Sequence, residues 1–536
     1  MVKEIKYTIP TDIQLAQKIT QSLKKPDKRL FLLVITVTFI VFLFSSDGHR
    51  HTFDEDVANQ EGLRIATMLP DPQFIPGESR LFFEYPELFP PEINTRPICE
   101  VGILCSAANI GHSLLEAPII FVNHNLHIIT DAAIYERDDY PSDYNFVYWK
   151  NNLNPDFIFL ELIFGPLFSS LSVGVFFLVC RFFELTQKTS IVISFFYAFS
   201  TLTWAYSQMS LNTIPMVFFL LLGILFFAKF TTNHKNKYLI FSSLIFTFGF
   251  LVRNDMILGI IPIFGLLLFE LKNNNKKIQK FISFVTPLIF VYIFNRLLFE
   301  IRFDLGSQPF TGVPNVAAAA AAPIYVGMAG LLFSPGVGLF IFVPILFTVF
   351  ISFFDFYSKN KKFCLLFLSI PILFVIFYST LEYWHGMVSW GPRYLVPIIP
   401  FLLIPLGFTL EKRRNKFLKS GIISLGIIGC FFNFVYIIQN VQWFIWGTMG
   451  QERGLYALAR MEDGGVHSLW ISPLTLYTFD YSQLTHSIIW AITNIQIDVF
   501  LFELLGPQIY FLALIIFLTI PIFYIFKILR QQIHYN

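Results

Sequence analysis

The sequence predicts an all-α polytopic membrane protein with about twelve transmembrane helices. Of its 536 residues, 55% are hydrophobic and 14% are charged, whereas a soluble domain carries about 25% charged residues. Apolar runs of about 15 to 25 residues recur along the chain, which is the length that a membrane-spanning α-helix needs. Long polar segments separate some of these runs, and we expect surface helices in these large external loops.

The apolar runs mark the individual helices. They lie near residues 30–46, 155–180, 189–206, 211–228, 238–252, 255–270, 281–299, 331–353, 363–381, 394–410, 420–440 and 507–527. The first run follows the charged stretch "KKPDKR" without a small-residue cleavage pattern, which favours an uncleaved span over a signal peptide. The stretch "LVRND" at 251–255 contains no Gly or Pro, so two of these runs could also form one long helix.

The distribution of charge decides between these two arrangements. Twelve spans with a cytoplasmic N-terminus place 26 of the 38 basic residues in short inner segments, as the positive-inside rule requires. They also place 29 of the 36 acidic residues outside. A single long helix would put "KNNNKK" and "EKRRNK" outside. The sequence therefore predicts a multi-pass protein of the cell membrane, with both termini cytoplasmic and its chemistry on the extracytoplasmic side.

This arrangement divides the chain into a few regions, most of the polar bulk being external. We predict a cytoplasmic N-terminal segment (1–29), the first transmembrane helix (30–46), a large external loop with surface helices and an acidic motif (47–154), transmembrane helices 2 to 11 with an external loop at 300–330 (155–440), a second large external loop (441–506), and the last transmembrane helix with a cytoplasmic tail (507–536). Loops of this length are usually functional.

Several classes of function have no support in the sequence. It contains no P-loop, HExxH, paired CxxC or GxGxxG motif, and a net charge of +2 does not indicate a nucleic-acid partner. Cys99 and Cys105 in "CEVGILC" are either free thiols or a disulfide on an oxidising exterior, and both readings stay open.

The stretch "TFDEDVANQEG" at 52–62 carries three consecutive carboxylates, Asp54, Glu55 and Asp56. Thr52 and Glu55 have the spacing of a capping box, so we expect a helix to start here and to end before Pro70. In one interpretation the carboxylates complement the positive end of the helix dipole. In the other, one of them is presented at the membrane surface as a general base or holds a cation.

Basic residues are scarce in the predicted external segments, so each is a candidate for binding a phosphate. Arg393 and His385 lie in "YWHGMVSWGPRYL", where a loop enters the tenth span, and Arg253 lies in the predicted turn "VRND". Arg393 could instead anchor a helix end at the interface, and Arg253 could simply pair with Asp255.

The rest of the first external loop offers further polar candidates. In "ERDDYPSD", Asp138 and Asp139 are candidate ligands for a divalent cation, although a solvated charged loop explains them as well. No cofactor is certain from the sequence. His49, His51 and His112 are expected to face water.

The acidic pair beyond the first span resembles that of the integral-membrane glycosyltransferases of the GT-C class, which include protein O-mannosyltransferases and lipid A aminoarabinose transferases. The segments "GLLFSPGVGLFIFVP" (330–344) and "YWHGMVSWGPRYLVPIIPFLLIPL" (383–406) look like segments of members that use lipid-phosphate-linked sugars. The WWDYG motif of oligosaccharyltransferases is absent, which argues against transfer of whole oligosaccharides to Asn.

The resemblance implies transfer of one sugar from a polyprenyl-phosphate donor, at the membrane, to an extracytoplasmic glycan, lipid or protein, usually with inversion. By position, the acidic pair of the family falls on Asp54-Glu55 or Glu55-Asp56, and the Asp-Glu order favours Asp54 as the base. The alternative is a multi-pass transporter or flippase of lipid-linked or small solutes. Against it, the predicted spans are almost free of charge, Glu161 being the clearest exception, and no internal repeat is evident.

Overall fold

The computed structural model describes a helical protein. It covers residues 25–49, 51, 53–68, 109–130, 154–272, 276–303, 323–381, 384–386, 389–412, 415–439, 473–493 and 497–533, and no strand occurs among them. The predicted all-α polytopic class is therefore confirmed.

The described part of the chain forms nineteen helical stretches, the last of which is kinked at Gly506 (φ 72°, ψ 160°). They are α1 (Lys25–Phe44), α2 (Phe53–Thr67), α3 (Ile110–Leu126), α4 (Pro155–Phe182), α5 (Gln187–Phe199), α6 (Thr203–Tyr206), α7 (Thr213–Asn233), α8 (Asn236–Val252), α9 (Met256–Leu271), α10 (Lys277–Phe303), α11 (Ile324–Phe333), α12 (Leu339–Phe342), α13 (Val349–Tyr357), α14 (Lys361–Ser379), α15 (Ile399–Lys412), α16 (Lys416–Ile437), α17 (Pro473–Tyr477), α18 (Gln483–Thr493) and α19 (Phe500–Ile533). Two 3-10 turns, Pro344–Thr348 and Arg393–Ile398, lead into α13 and α15.

Seven helical segments in the described part of the chain are long and apolar enough to cross a membrane. They are Pro155–Phe182, Thr213–Asn233, Lys277–Phe294, Lys361–Ser379, Arg393–Lys412, Lys416–Ile437 and Phe500–Gln531. Shorter apolar helices, α8, α9 and α11 among them, accompany these seven. Each run that the sequence marked as a span overlaps at least one helix.

Two of the predicted runs show where local sequence decides the outcome. At "LVRND" the chain forms two helices, because α8 ends at Val252, Arg253 is extended (φ −156°, ψ 126°) and α9 begins at Met256. By contrast, the prediction of one continuous helix over 331–353 was wrong. The chain leaves α11 at Ser334 and forms only short helical pieces up to Thr348.

The break after α11 is stabilised by a segment from much later in the chain. Gly336 donates its N–H to the carbonyl of Leu476 at 3.1 Å, and the Ser482 hydroxyl donates to the carbonyl of Pro335 at 2.8 Å. A side chain at position 336 would meet the carbonyl oxygen of Thr475 at 2.2 Å, so only glycine fits this close approach. Backbone contacts that replace helical hydrogen bonds explain why an apolar run is not a helix here.

Polar side chains gather at the two ends of the helix bundle. At one end, Arg181 of α4 donates to Asp27 of α1 at 3.0 Å, and Lys412 of α15 pairs with Asp355 of α13 at 3.0 Å. Between the two ends lies a continuous apolar core that is rich in phenylalanine. The other end, which we call the site end, carries the C-termini of α1, α6, α8, α14 and α16 and the surface helices α2 and α3.

Glycines let the surface helices lie close to the bundle. A Cβ atom at Gly62 of α2 would lie 3.1 Å from Cβ of Glu116 in α3. One at Gly111 of α3 would lie 2.6 Å from the backbone carbon of Leu251 in α8. The helices α2 and α3 therefore pack tightly against each other and against the site end.

Candidate active site

The acidic stretch identified from the sequence begins α2. Glu55 is fully buried, and its Oε2 accepts the backbone N–H of His51 at 2.7 Å. The predicted capping box between Thr52 and Glu55 stays a prediction, because Thr52 lies outside the described residues. The helix also includes Asp54 and Asp56, whose side chains lie outside the described part of the structure.

A buried hydrogen-bond network connects α2 to α4. Glu161 of α4 is fully buried, and its Oε1 accepts from Asn59 Nδ2 at 2.8 Å and from the Ser210 hydroxyl at 2.7 Å. Its Oε2 accepts the backbone N–H of Ser210 at 2.9 Å. Because Asn59 follows Glu55 by four residues, both side chains lie on the face of α2 that meets the bundle.

Two histidines next to α2 bind carboxylates. His51 Nε2 lies 3.1 Å from Asp47 Oδ2, and His49 Nε2 lies 3.1 Å from Asp498 Oδ1. Burial lowers the pKa of His51, but the carboxylates of Asp47 and Glu55 outweigh burial and raise it to about 9. Burial likewise lowers the pKa of His49, and Asp498 more than offsets it, so the net pKa is raised.

The expectation that His49, His51 and His112 face water was wrong. The His51 side chain is 5% exposed, and His112 is 2% exposed with its Nε2 3.0 Å from Glu116 Oε1. Even His49, the most accessible of the three, has a side chain only 12% exposed. These imidazoles are buried because α2 and α3 pack against the bundle, where each ring contacts a buried carboxylate.

The three basic candidates converge at the site end. Arg253, between α8 and α9, donates through Nε to Asp255 at 2.8 Å, through Nη1 to Asn212 at 3.0 Å, and through Nη2 to the Tyr378 hydroxyl at 3.4 Å. Burial lowers the pKa of Arg253, and the carboxylate of Asp255 outweighs this and raises it above its usual value. The pairing with Asp255 that the sequence left open is therefore present.

Arg393 starts the 3-10 turn that leads into α15, where the sequence placed it. Its Nη2 donates to the Tyr394 hydroxyl at 3.3 Å, and its guanidinium carbon lies 5.0 Å from the centre of the Tyr394 ring. Arg253 lies 6.0 Å from the same ring centre. The two arginines, 140 residues apart in sequence, thus share Tyr394.

His385 lies beside Arg393 and is fully buried. Burial, together with the positive charge of Arg393, lowers the pKa of His385 to about 4. At neutral pH the imidazole is uncharged, so it would meet a phosphate as a hydrogen-bonding group and not as a cation. The loop reaches this geometry through Gly386 and Gly391, whose φ angles are +73° and +63°.

The acidic and basic groups are connected through two tyrosines. The Tyr206 hydroxyl donates to the Trp390 carbonyl at 3.2 Å, and Tyr206 interacts electrostatically with Arg393 and Arg253. The Trp390 ring lies 4.7 Å from that of Tyr436, which in turn interacts electrostatically with Asp47 and Glu55. Carboxylates and guanidinium groups therefore border one region of the site end.

The cation candidates Asp138 and Asp139 lie outside the described residues, as do Cys99 and Cys105. Within the described part of the chain, no group of three or more His, Cys, Asp or Glu side chains is arranged to hold a metal ion.

Sequence reasoning missed Asn59 and Ser210 as partners of Glu161. Glu161 itself stood out as a charge within a predicted span, which is a signal for function or for a specific partner.

Comparisons with known proteins support the resemblance to GT-C glycosyltransferases. Residues 147–299 match the family model of dolichyl-phosphate-mannose-protein mannosyltransferase. This range includes Glu161, Ser210 and Arg253, but it does not reach α2 or Arg393. The match confirms that the chain resembles GT-C glycosyltransferases.

Among solved structures, the chain is similar to ArnT from Cupriavidus metallidurans in the apo state. The identity is 11%, the TM-score is 0.44, and the alignment covers 85% of this chain and 76% of that one. No curated protein matches the chain.

Proposed function

We propose that the protein is a membrane glycosyltransferase that moves a single sugar from a polyprenyl-phosphate donor to an acceptor at the extracytoplasmic surface. The observation that carries this proposal is the meeting, at one end of an apolar bundle, of buried carboxylates on α2 and α4 with Arg253 and Arg393. A lipid-phosphate donor needs an apolar environment for its chain and cationic donors for its phosphate. The family-model match over 147–299 supports the same class of reaction.

In the proposed reaction a carboxylate of α2 takes the proton of the acceptor hydroxyl. The hydroxyl oxygen then attacks the anomeric carbon of the donor, and the bond from that carbon to the phosphate oxygen breaks with inversion. The leaving polyprenyl phosphate gains negative charge, which a guanidinium group stabilises through paired N–H donors.

We assign the base to Asp54 and the phosphate contact chiefly to Arg393. Glu55 already accepts a backbone N–H, and its carboxylate faces His51, so it serves the start of α2. Arg253 is similarly engaged by Asp255, Asn212 and Tyr378. His385 lies beside Arg393 and is uncharged at neutral pH, so its proposed role is to form a hydrogen bond with the phosphate.

The test uses the purified full-length protein in nanodiscs, incubated with synthetic short-chain polyprenyl-phosphate hexoses and pentoses. Release of polyprenyl phosphate, followed by mass spectrometry, is the expected result, and it should be faster when an envelope lipid extract supplies acceptors. A transporter or flippase would move the lipid between leaflets and leave the sugar–phosphate bond intact. Intact donor after prolonged incubation with every sugar would overturn the proposal.

A further inference from the structure

Two carboxylates of α4 each hold a surface helix through an asparagine. Glu161 accepts from Asn59 of α2 at 2.8 Å, and Asp156 accepts from Asn123 of α3 at 2.7 Å. Glu161 and both asparagines are buried, and the side chain of Asp156 is 12% exposed. The chain thus carries two similar clamps, of which only the first reaches the helix that bears the acidic stretch.

Every contact of Glu161 in this network is with a donor. Asn59 and the Ser210 hydroxyl donate to one oxygen, and the Ser210 backbone N–H donates to the other. The same hydroxyl lies 3.2 Å from Asn59 Oδ1, so its single proton is shared between Glu161 and Asn59, with the shorter distance to Glu161. Position 161 therefore needs a side chain with two acceptor oxygens. A glutamine has one oxygen and one NH₂ group, so in either orientation its N–H would face a donor from Asn59 or Ser210.

We propose that Glu161 is a positioning residue that sets the rotation of α2 about its axis. The bond to Asn59 fixes the helix face that also carries Glu55, one turn earlier, and so fixes the rotation of the acidic run as a whole, because a helix turns as one unit. Glu161 would then control whether the base points at the acceptor. This inference rests on the proposed function for its kinetic consequence, while its structural part stands alone.

The first test compares Glu161→Gln with Asp156→Asn. Misdirection of the base should lower kcat of Glu161→Gln by about tenfold to a hundredfold with the KM for the donor nearly unchanged. Amide hydrogen exchange of the peptide 53–67 should become faster. Asp156→Asn removes the same kind of charge from the same helix but loosens α3, so its faster exchange should appear at 110–126 and its kcat should stay near that of the wild type.

The second test reverses the polarity of the pair. Asn59→Asp alone places two carboxylates in contact and should be as damaging as Glu161→Gln. In the double variant Glu161→Gln/Asn59→Asp, the glutamine amide donates to the new carboxylate, and its carbonyl oxygen still accepts from the Ser210 N–H. We expect kcat and exchange protection of 53–67 to recover above both single variants, even if a single variant folds poorly.

Full kcat in Glu161→Gln, or a double variant no better than the worse single one, would overturn the inference. A wild-type protein without transferase activity would instead overturn the proposed function. In that case the exchange rates of 53–67 in the wild type and the four variants still decide whether Glu161 positions α2.

Discussion

The rings of Tyr378 and Tyr394 are stacked, with their centres 4.2 Å apart and their planes 6° apart. Tyr378 belongs to the end of α14 and Tyr394 to the turn that leads into α15, so the stack fastens the two ends of the intervening loop. Arg393 and Arg253 both lie beside the ring of Tyr394. The position of Arg393, the proposed phosphate contact, therefore depends on this aromatic pair. Some substitutions remove the charge of Arg393, and others move the side chain without changing its charge.

Removing the guanidinium of Arg393 should weaken donor binding. A charged hydrogen bond to phosphate contributes about 1.5–3 kcal/mol, so Arg393→Ala should lower kcat/KM for the donor by about tenfold to a hundredfold. Arg393→Lys should restore only part, because a point charge replaces a bidentate fork. Steady-state kinetics at limiting donor measure both variants.

The control for charge alone is Lys362→Ala at the opposite end of the bundle, where the side chain is 55% exposed and pairs with Glu270. The lysine lies far from the site end and only its own side chain is largely in solvent, since Glu270 is 11% exposed. Loss of this charge should therefore leave the kinetics for the donor at the wild-type level. Full activity of Arg393→Ala at limiting donor would contradict the assignment.

The backbone at Gly386 should control Arg393 without changing charge. Its φ is +73°, and a Cβ atom there would lie 2.8 Å from Cγ of Arg393. Gly386→Ala should cost about 1–2 kcal/mol in backbone conformation and displace the arginine, raising the KM for the donor. Gly421→Ala is the matched control, because nothing lies within 4 Å of that position. Equal KM values for the two variants would show that the loop does not position Arg393.

The acidic run is best tested with amides. Asp54 lies in the first turn of α2, where a negative charge interacts with the helix dipole by at most about 1 kcal/mol, so Asp54→Asn should change the free energy of unfolding by less than about 1 kcal/mol while turnover falls by about 100-fold or more. Glu55→Gln and Asp56→Asn are measured beside it. A defect at a neighbour would move the base by one residue. Normal turnover in all three would reduce the run to a helix start.

Stability should depend on pH through His51. Its pKa is about 9 in the folded protein against 6.5 as the ordinary value. A raised pKa contributes stability that is fully present below about pH 6.5 and is lost as the pH rises through about 9. The thermal midpoint of the wild type should therefore fall between pH 7 and 10, by an amount corresponding to at most about 3 kcal/mol.

In His51→Gln this part of the pH dependence should disappear, and the variant should be less stable than the wild type chiefly at low pH. Thermal unfolding in detergent, scanned from pH 6 to 10, provides the comparison. Parallel curves for the two proteins would contradict the role assigned to the pair His51–Asp47.

The predicted orientation can be tested by cysteine labelling in intact cells. The basic asymmetry of the loops predicts that cysteines at positions 60, 320 and 450 react with a membrane-impermeant reagent and that those at 275 and 414 do not. Permeabilised cells should label all five. Labelling at 275 from outside would reverse the order of the later spans.

Helices were the easier part of the structure to predict from the sequence. Long apolar runs give α4 and α7 without any tertiary information, and charge alone placed the boundary between α8 and α9. The run 331–353 failed because its break depends on Gly336 contacting a backbone that comes about 140 residues later. Hydropathy cannot report a contact of that kind.

The candidate site shows the same limit. Local composition singled out Glu55, Arg253 and Arg393, since each is a charge where charges are rare. It could not show that Asn59, 102 residues before Glu161, would be its partner, because an asparagine on an amphipathic helix has no local signal of its own. The burial of His51 and His112 was missed for the same reason: solvation depends on which surface covers a residue.

The pairing of His49 with Asp498 has a consequence for biogenesis. The two residues are 449 positions apart, and Asp498 is fixed by the backbone bond from Phe500 to Ser46 at 3.0 Å, next to the start of α19. During synthesis, the segment after α1 therefore lacks this contact until residue 498 has been made. A product truncated before that residue would carry the acidic stretch without the contact that closes it.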